Sequence, residues 1–129
     1  MKTKSPILPG RLRKVPKHFS WLDHRLVRDR HIEACSHPAA ALYLLLVTAG
    51  DAMGLSYYSD ASIMKRLSMD PGTLAGAREN LIRIGLIAWR KPLYQVLSLD
   101  GPHLDGPRLA KAQPLSLAEI LKKAAGGAT

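Results

Sequence analysis

The sequence predicts a mainly α chain with a small β hairpin, an α+β fold. Three observations predict it. The apolar run "HPAAALYLLLVTAG" follows Ser36 and ends on a glycine, signals that start and stop helices. The stretch "DPGTLAGARENLIRIG" places Leu74, Ala77, Leu81 and Ile84 at spacings of three, four and three, the helical period. Directly after it, "LIAWR" and "LYQVLSL" alternate on either side of Lys91-Pro92, which predicts two short strands and a tight turn.

The bulk numbers fit one domain with tails. The chain has 129 residues, of which 47% are apolar, enough for a core. Phe is nearly absent, so Leu, Ile, Ala and Val must build that core, and the few aromatics are expected to join it. Nineteen Lys and Arg against ten Asp and Glu leave a net charge of +9. A small protein with that excess suits a polyanion, and nucleic acid is the commonest one. The single cysteine, Cys35, excludes an intrachain disulfide, and its apolar neighbours predict a small buried side chain. The first twenty residues lack the apolar run of a secretory signal, and "ALYLLLVTAG" is too short to span a bilayer. The expected location is the cytoplasm, with no membrane partner.

Three regions follow from the pattern. Residues 1–18 form a basic flexible arm: Lys2, Lys4, Arg11, Arg13, Lys14 and Lys17 stand with three prolines and no acid. Proline and glycine prevent a long helix there, and few apolar groups remain to pack. Residues 19–99 are the folded domain. Residues 100–129 are a loop and a short amphipathic C-terminal tail helix carrying Leu117, Ile120, Leu121 and Ala124. A helix of about ten residues is marginal alone in water, so it must dock on this body or on a partner.

Within the domain, "HFSWLDHRLVRDRHIEAC" predicts a short strand and then a helical turn or two. Ser36 is the expected N-cap of the next helix, with Pro38 tolerated in its first turn. Residues 39–49 are apolar on nearly every face, as in the buried hub of a domain. Gly50 or Gly54 lies at its end. "GLSYY" gives a short strand. "SDASIMKRL" gives a short helix, capped by Ser59 or Asp60, with Ile63, Met64 and Leu67 on one face. After the break "SMD", Asp70 caps the next helix and Pro71 takes its first position. Gly85 ends that helix as a left-handed C-cap. Gly72 and Gly76 weaken it by up to about 1 kcal/mol each relative to alanine, and their size allows something to approach closely. In the hairpin, Ile87 and Trp89 share a face, and Leu93, Gln95, Leu97 and Leu99 lie opposite Tyr94, Val96 and Ser98.

Catalytic and metal chemistry find no support. His18, His24, His31, His37 and His103 form no i, i+4 pair, and neither a second cysteine nor an HExxH accompanies them. No Gly-rich loop ends in Lys-Ser/Thr. Adjacent Tyr57 and Tyr58 resemble the tyrosine nucleophiles of rolling-circle nickases, but those also need a paired-histidine metal motif, which is missing. The chain is expected to be no enzyme and to carry no cofactor or metal.

Two helices joined by a three- to four-residue turn can form a helix-turn-helix, and a hairpin after the second can serve as a wing. "TLAGARENLIRIGLI", through Leu81, Gly85, Leu86 and Ile87, resembles the end of a winged helix recognition helix. "HPAAALYLLLVTAGDAMGLSYYSDASIMKRLSM" looks like the preceding half. Residues 36–99 are thus similar to bacterial winged helix regulators and to winged helix domains of plasmid replication initiators. The resemblance implies a winged helix-turn-helix with a basic N-terminal arm, binding double-stranded DNA as a transcriptional regulator or as a replication or mobile-element accessory factor. A homodimer through the C-terminal helix is a further expectation.

Under that resemblance, early exposed positions of the helix from Pro71 face base edges. Thr73 is the candidate for a base or phosphate contact and Asn80 for adenine. Arg78, Arg83, Lys65 and Arg66 are candidates for the phosphate backbone, as are Arg90 and Lys91 of the short wing and Arg11, Arg13 and Lys14 of the arm. Residues 59–91 hold six basic residues against three acids. Ala75, Gly76 and Glu79 make the expected outer face poor in donors. That poverty favours the alternative, a winged helix protein–protein interaction module that does not touch DNA.

Overall fold

A computed structural model describes residues 3–100 of the chain. The predicted C-terminal loop and tail helix lie outside the described residues. Four α-helices, two 3₁₀ turns and three strands make an α+β fold. The helices are α1 (Arg25–Arg28), α2 (His37–Ala49), α3 (Asp60–Leu67) and α4 (Pro71–Arg83); the strands are β1 (Leu55–Tyr57), β2 (Ile87–Arg90) and β3 (Leu93–Val96).

Local chemistry sets the helix ends. Oγ of Ser36 accepts from the Ala39 N–H at 3.2 Å and caps α2, with Pro38 in the first turn. Ser59 rather than Asp60 caps α3, accepting from Ser62 N–H at 3.1 Å. Asp70 accepts from Thr73 N–H at 2.7 Å and caps α4. Gly85 takes φ +81° after α4. The N–H groups of Gly85 and Leu86 reach back to the carbonyls of Ile82 and Leu81 at 3.1 and 3.0 Å. Those two bonds are a Schellman closure, which needs the left-handed residue that glycine supplies at least cost.

The turn aims the chain into an antiparallel sheet of order β1-β3-β2. Trp89 pairs with Tyr94 and Ile87 with Val96, so the apolar sides of both hairpin strands share one face. Leu55 pairs with Gln95 and Tyr57 with Leu93, which makes β3 the central strand. Gly54, at φ +81°, sits so close to β3 that an added Cβ would meet the Val96 carbonyl oxygen at 2.8 Å. Its own carbonyl accepts from Val96 N–H at 2.9 Å.

The core lies where α2, α4 and the sheet meet. Leu42, Leu46, Ile63, Leu74, Leu81, Leu86, Ile87 and Tyr94 are the largest fully buried side chains. Burying each apolar side chain of this size stabilises by roughly 1.5–3 kcal/mol relative to exposure. Ala77 packs among them and Ile84 is half-buried, as the helical period requires. Leu99 also joins the core, because regular pairing ends at Val96 and the chain turns inward.

Four expectations are corrected. The lead-in forms no strand; residues 19–22 are exposed, and α1 and the 3₁₀ turn His31–Ala34 follow. Helix α2 is buried along Ala39, Leu42 and Leu46 only, and Leu44 is largely exposed. Phe19, Trp21 and Tyr57 face solvent instead of joining the core. Cys35 is half-buried, and burial pushes its thiol pKa up. Among the described residues no helix is long and apolar enough to cross a membrane.

Candidate nucleic-acid interface

Helix α4 is the centre of the candidate site. Its core stripe runs Leu74, Ala77, Arg78, Leu81, at the i, i+3, i+4, i+7 spacing, and all four are buried. Arg78 is therefore not a surface cation. One guanidinium nitrogen donates to Asp60 Oδ1 at 2.9 Å and to the Tyr94 hydroxyl at 2.8 Å. The guanidinium carbon lies 3.8 Å from the centre of the Trp89 ring, a cation–π contact. Burial acts to lower the Arg78 pKa, but the bonds from Asp60 and Tyr94 outweigh it and the net direction is up. Burial raises the Tyr94 pKa, against the pull of Arg78. The expectation that Arg78 contacts a phosphate is corrected: its donors bind α3, α4 and the hairpin into one unit.

Asn80 is corrected as well. It is 7% exposed. Its Oδ1 accepts from Ser36 N–H at 2.7 Å and its Nδ2 donates to the Ala34 carbonyl at 3.0 Å. Both hydrogen-bonding ends of the amide are engaged at the start of α2, so Asn80 is not presented to a base.

The outward face of α4 then consists of Gly72, Ala75, Gly76, Glu79, Ile82 and Arg83, all exposed. An added Cβ at Gly76 meets nothing within 4 Å, so the close approach allowed there is not used by the chain itself. Thr73 is half-buried, and its N–H is held by the Asp70 carboxylate. That bond from Thr73 holds the Asp70 pKa below its ordinary value. Thr73 and Arg83 stand at opposite ends of the helix, about 15 Å apart along its axis.

The other candidates lie on α3, the hairpin and the arm. Lys65 and Arg66 are exposed in the last turn of α3, before the turn into α4, where Ser68 takes φ 54°. Arg90 ends β2 and Lys91 opens the two-residue turn to β3; both are exposed. The wing tip lies near the start of α3, since Tyr58 N–H donates to the Pro92 carbonyl at 3.1 Å. Arg11, Arg13 and Lys14 are exposed on the arm, whose one regular feature is the 3₁₀ turn Pro9–Arg11. Among the described residues, the ion pairs engage Arg25, Arg28, Arg30 and Arg78 and none of these other candidates.

Among the described residues no group of three His, Cys, Asp or Glu side chains is arranged to hold a metal ion. Comparison with known proteins finds no family model, no curated protein and no solved structure that matches the chain.

Proposed function

We propose that the chain is a winged helix protein that binds double-stranded DNA, with α3 and α4 as the helix-turn-helix and β2–β3 as the wing. It serves on this reading as a bacterial cytoplasmic regulator or a replication or mobile-element accessory factor. The observation that carries the proposal is the free set of cations. Lys65, Arg66, Arg83, Arg90 and Lys91 are exposed without an acidic partner among the described residues, on α3, the end of α4 and the β2–β3 hairpin. The order helix, strand, helix, helix, strand, strand, with a β1-β3-β2 sheet, supports the same architecture. With Asn80 and Arg78 engaged inside, affinity comes from phosphate contacts, and base reading by α4 is weak.

The test is fluorescence anisotropy of a mixed-sequence duplex across a salt series. Wild type is run beside Arg83→Ala/Arg90→Ala/Lys91→Ala and Arg11→Ala/Arg13→Ala/Lys14→Ala variants. Removing one cation from a phosphate reduces the slope of log K against log salt by about 0.9. Reduction in both variants supports arm, helix and wing on the duplex. Reduction in the arm variant alone assigns binding to a basic tail, and absence of binding at low salt overturns the proposal.

One observation favours the second reading, a protein-interaction module. Ile82 is 42% exposed on the outward face of α4, beside Glu79 and the small residues. A protein partner docking there buries Ile82, so the uncharged change Ile82→Ser weakens its binding strongly, whereas it adds no charge to repel phosphates and changes DNA affinity little.

A further inference from the structure

A concavity of about 590 Å³ lies away from the wing, between the lead-in segment, the end of α2 and the end of β3. Phe19, Trp21, Tyr43, Val47, Met53 and Leu97 are among the residues that line it. Phe19, Trp21 and Met53 are 63%, 73% and 69% exposed. Large apolar side chains gathered on one concave surface mark a site that something covers.

Its charge narrows the choice of occupant. The lining holds Asp23, Asp51 and Asp100 against a single cation, Arg25, in a chain of net charge +9. Arg25 donates to Asp23 at 2.7 Å and to Asp100 at 2.6 Å, and the Asp51 carboxylate accepts from the N–H groups of Met53 and Leu55. The Arg25 hydrogen bonds hold Asp23 down to about 2 and Asp100 below its ordinary value, while the Leu55 and Met53 N–H groups lower Asp51. All three are anionic at neutral pH. A phosphate backbone is repelled by this rim, and an apolar segment carrying cations suits it.

The chain supplies such a segment. Asp100, the last described residue, itself lines the concavity, so the chain departs from its rim. Beyond it, Leu117, Ile120, Leu121 and Ala124 recur at i, i+3, i+4 and i+7, interleaved with Lys122 and Lys123. Residues 101–116 reach up to about 50 Å when extended, well beyond the radius of gyration of about 13 Å of a domain this size. Tethering makes docking intramolecular, at an effective concentration on the order of millimolar.

We propose that residues 115–124 of this same chain cover the concavity as an amphipathic helix, with Leu117, Ile120 and Leu121 against Phe19, Trp21 and Met53 and Lys123, on the flank of that apolar face, toward the acidic rim. The site lies at the Gly54–Val96 end of the sheet, and the Lys91-Pro92 turn lies at the other end of the hairpin. Covering it leaves the proposed DNA face open, and the two proposals stand or fall separately.

Disulfide trapping in the full-length chain tests it. In a Cys35→Ser background, Met53→Cys/Leu121→Cys is compared with Tyr57→Cys/Leu121→Cys, since Met53 and Tyr57 are similarly exposed at 69% and 74%. The expected result is an intramolecular disulfide that forms at least about tenfold faster in the Met53 pair. Adding Leu117→Asp/Ile120→Asp, with the fold checked by circular dichroism, is expected to remove that preference. Equal rates for the two pairs overturn the proposal. A disulfide-linked dimer of the Met53 pair also overturns it, because a second copy then occupies the site.

Discussion

Two populations of cations share this chain, and their difference separates what holds the fold from what is left for a partner. Arg25, Arg28, Arg30 and Arg78 each sit within ion-pair distance of a carboxylate. Lys65, Arg66, Arg83, Arg90, Lys91 and the arm's Arg11, Arg13 and Lys14 have no such neighbour among the described residues. The acids explain the division. Asp70 and Asp51 are engaged with backbone N–H groups, Asp60 with Arg78, and Asp23 and Asp100 with Arg25. Few carboxylates remain to neutralise α3, the end of α4 and the wing.

The strongest way to break the comparison is Arg78→Ala. It leaves the buried Tyr94 hydroxyl without its donor and removes the cation from the Trp89 ring. The expected loss is about 2–3 kcal/mol, read as a lower urea midpoint with unchanged m-value. Anisotropy with duplex DNA, measured where the variant is still folded, is expected to match wild type. Arg78→Lys should recover little, since an ammonium cannot stack its plane on Trp89 while serving both oxygens. A DNA defect with no stability loss would place Arg78 in the other population.

Asn80→Ala comes next. It strips partners from the Ser36 N–H and the Ala34 carbonyl at the start of α2, at an expected cost of about 1–2 kcal/mol. The contrast with Arg83→Ala is the informative part, because that exposed substitution should change stability by less than about 0.5 kcal/mol. Equal losses at the two positions would erase the distinction between inner and outer faces of α4.

Both inward side chains escape a reading of the sequence for one physical reason. Local signals are legible in a sequence: Ser36, Asp70 and Gly85 act on backbone groups within a few residues, so their roles as caps stand. The core residues Leu74, Ala77 and Leu81 follow from period alone. Arg78 and Asn80 take their partners 16 to 46 positions away, and polarity points to the wrong face. A usable signal exists: Arg78 falls at i+4 from Leu74, and Asn80 at i+3 from Ala77, on or beside the core stripe. The lead-in strand fails for the converse reason. Among the described residues no sheet edge pairs with it.

Acid titration sharpens the paired side of the comparison. Asp23 is held at about 2 by Arg25, below its ordinary value of 3.8. A carboxylate whose folded pKa is depressed contributes stability above its unfolded value and loses it as pH falls through the folded one. Asp51, Asp70 and Asp100 shift in the same direction. The urea midpoint is expected to fall as pH is lowered from 3.8 toward 2, and Asp23→Asn should make that fall shallower. An unchanged slope in the variant would mean that the Arg25 pair has no bearing on stability. Salt should weaken the effect, since these groups are exposed and screened.

The smallest expected effect decides between the two functional readings. Glu79 is exposed on the outward face of α4 and has no hydrogen-bonded or ion-pair partner among the described residues. If a duplex lies on that face, Glu79 faces phosphates and opposes binding. A unit charge about 4 Å from another in water is worth about 1 kcal/mol, so Glu79→Gln should tighten DNA binding about fivefold at low salt, with the gain fading as salt rises. If the face meets a protein, the lone carboxylate is a rim charge, and removing it slows association with a basic partner without improving DNA affinity. Anisotropy of the Glu79→Gln variant at two salt concentrations therefore reads the sign of the potential above α4. A gain that disappears with salt supports the duplex, and its absence moves the weight to exposed Ile82 and a protein partner.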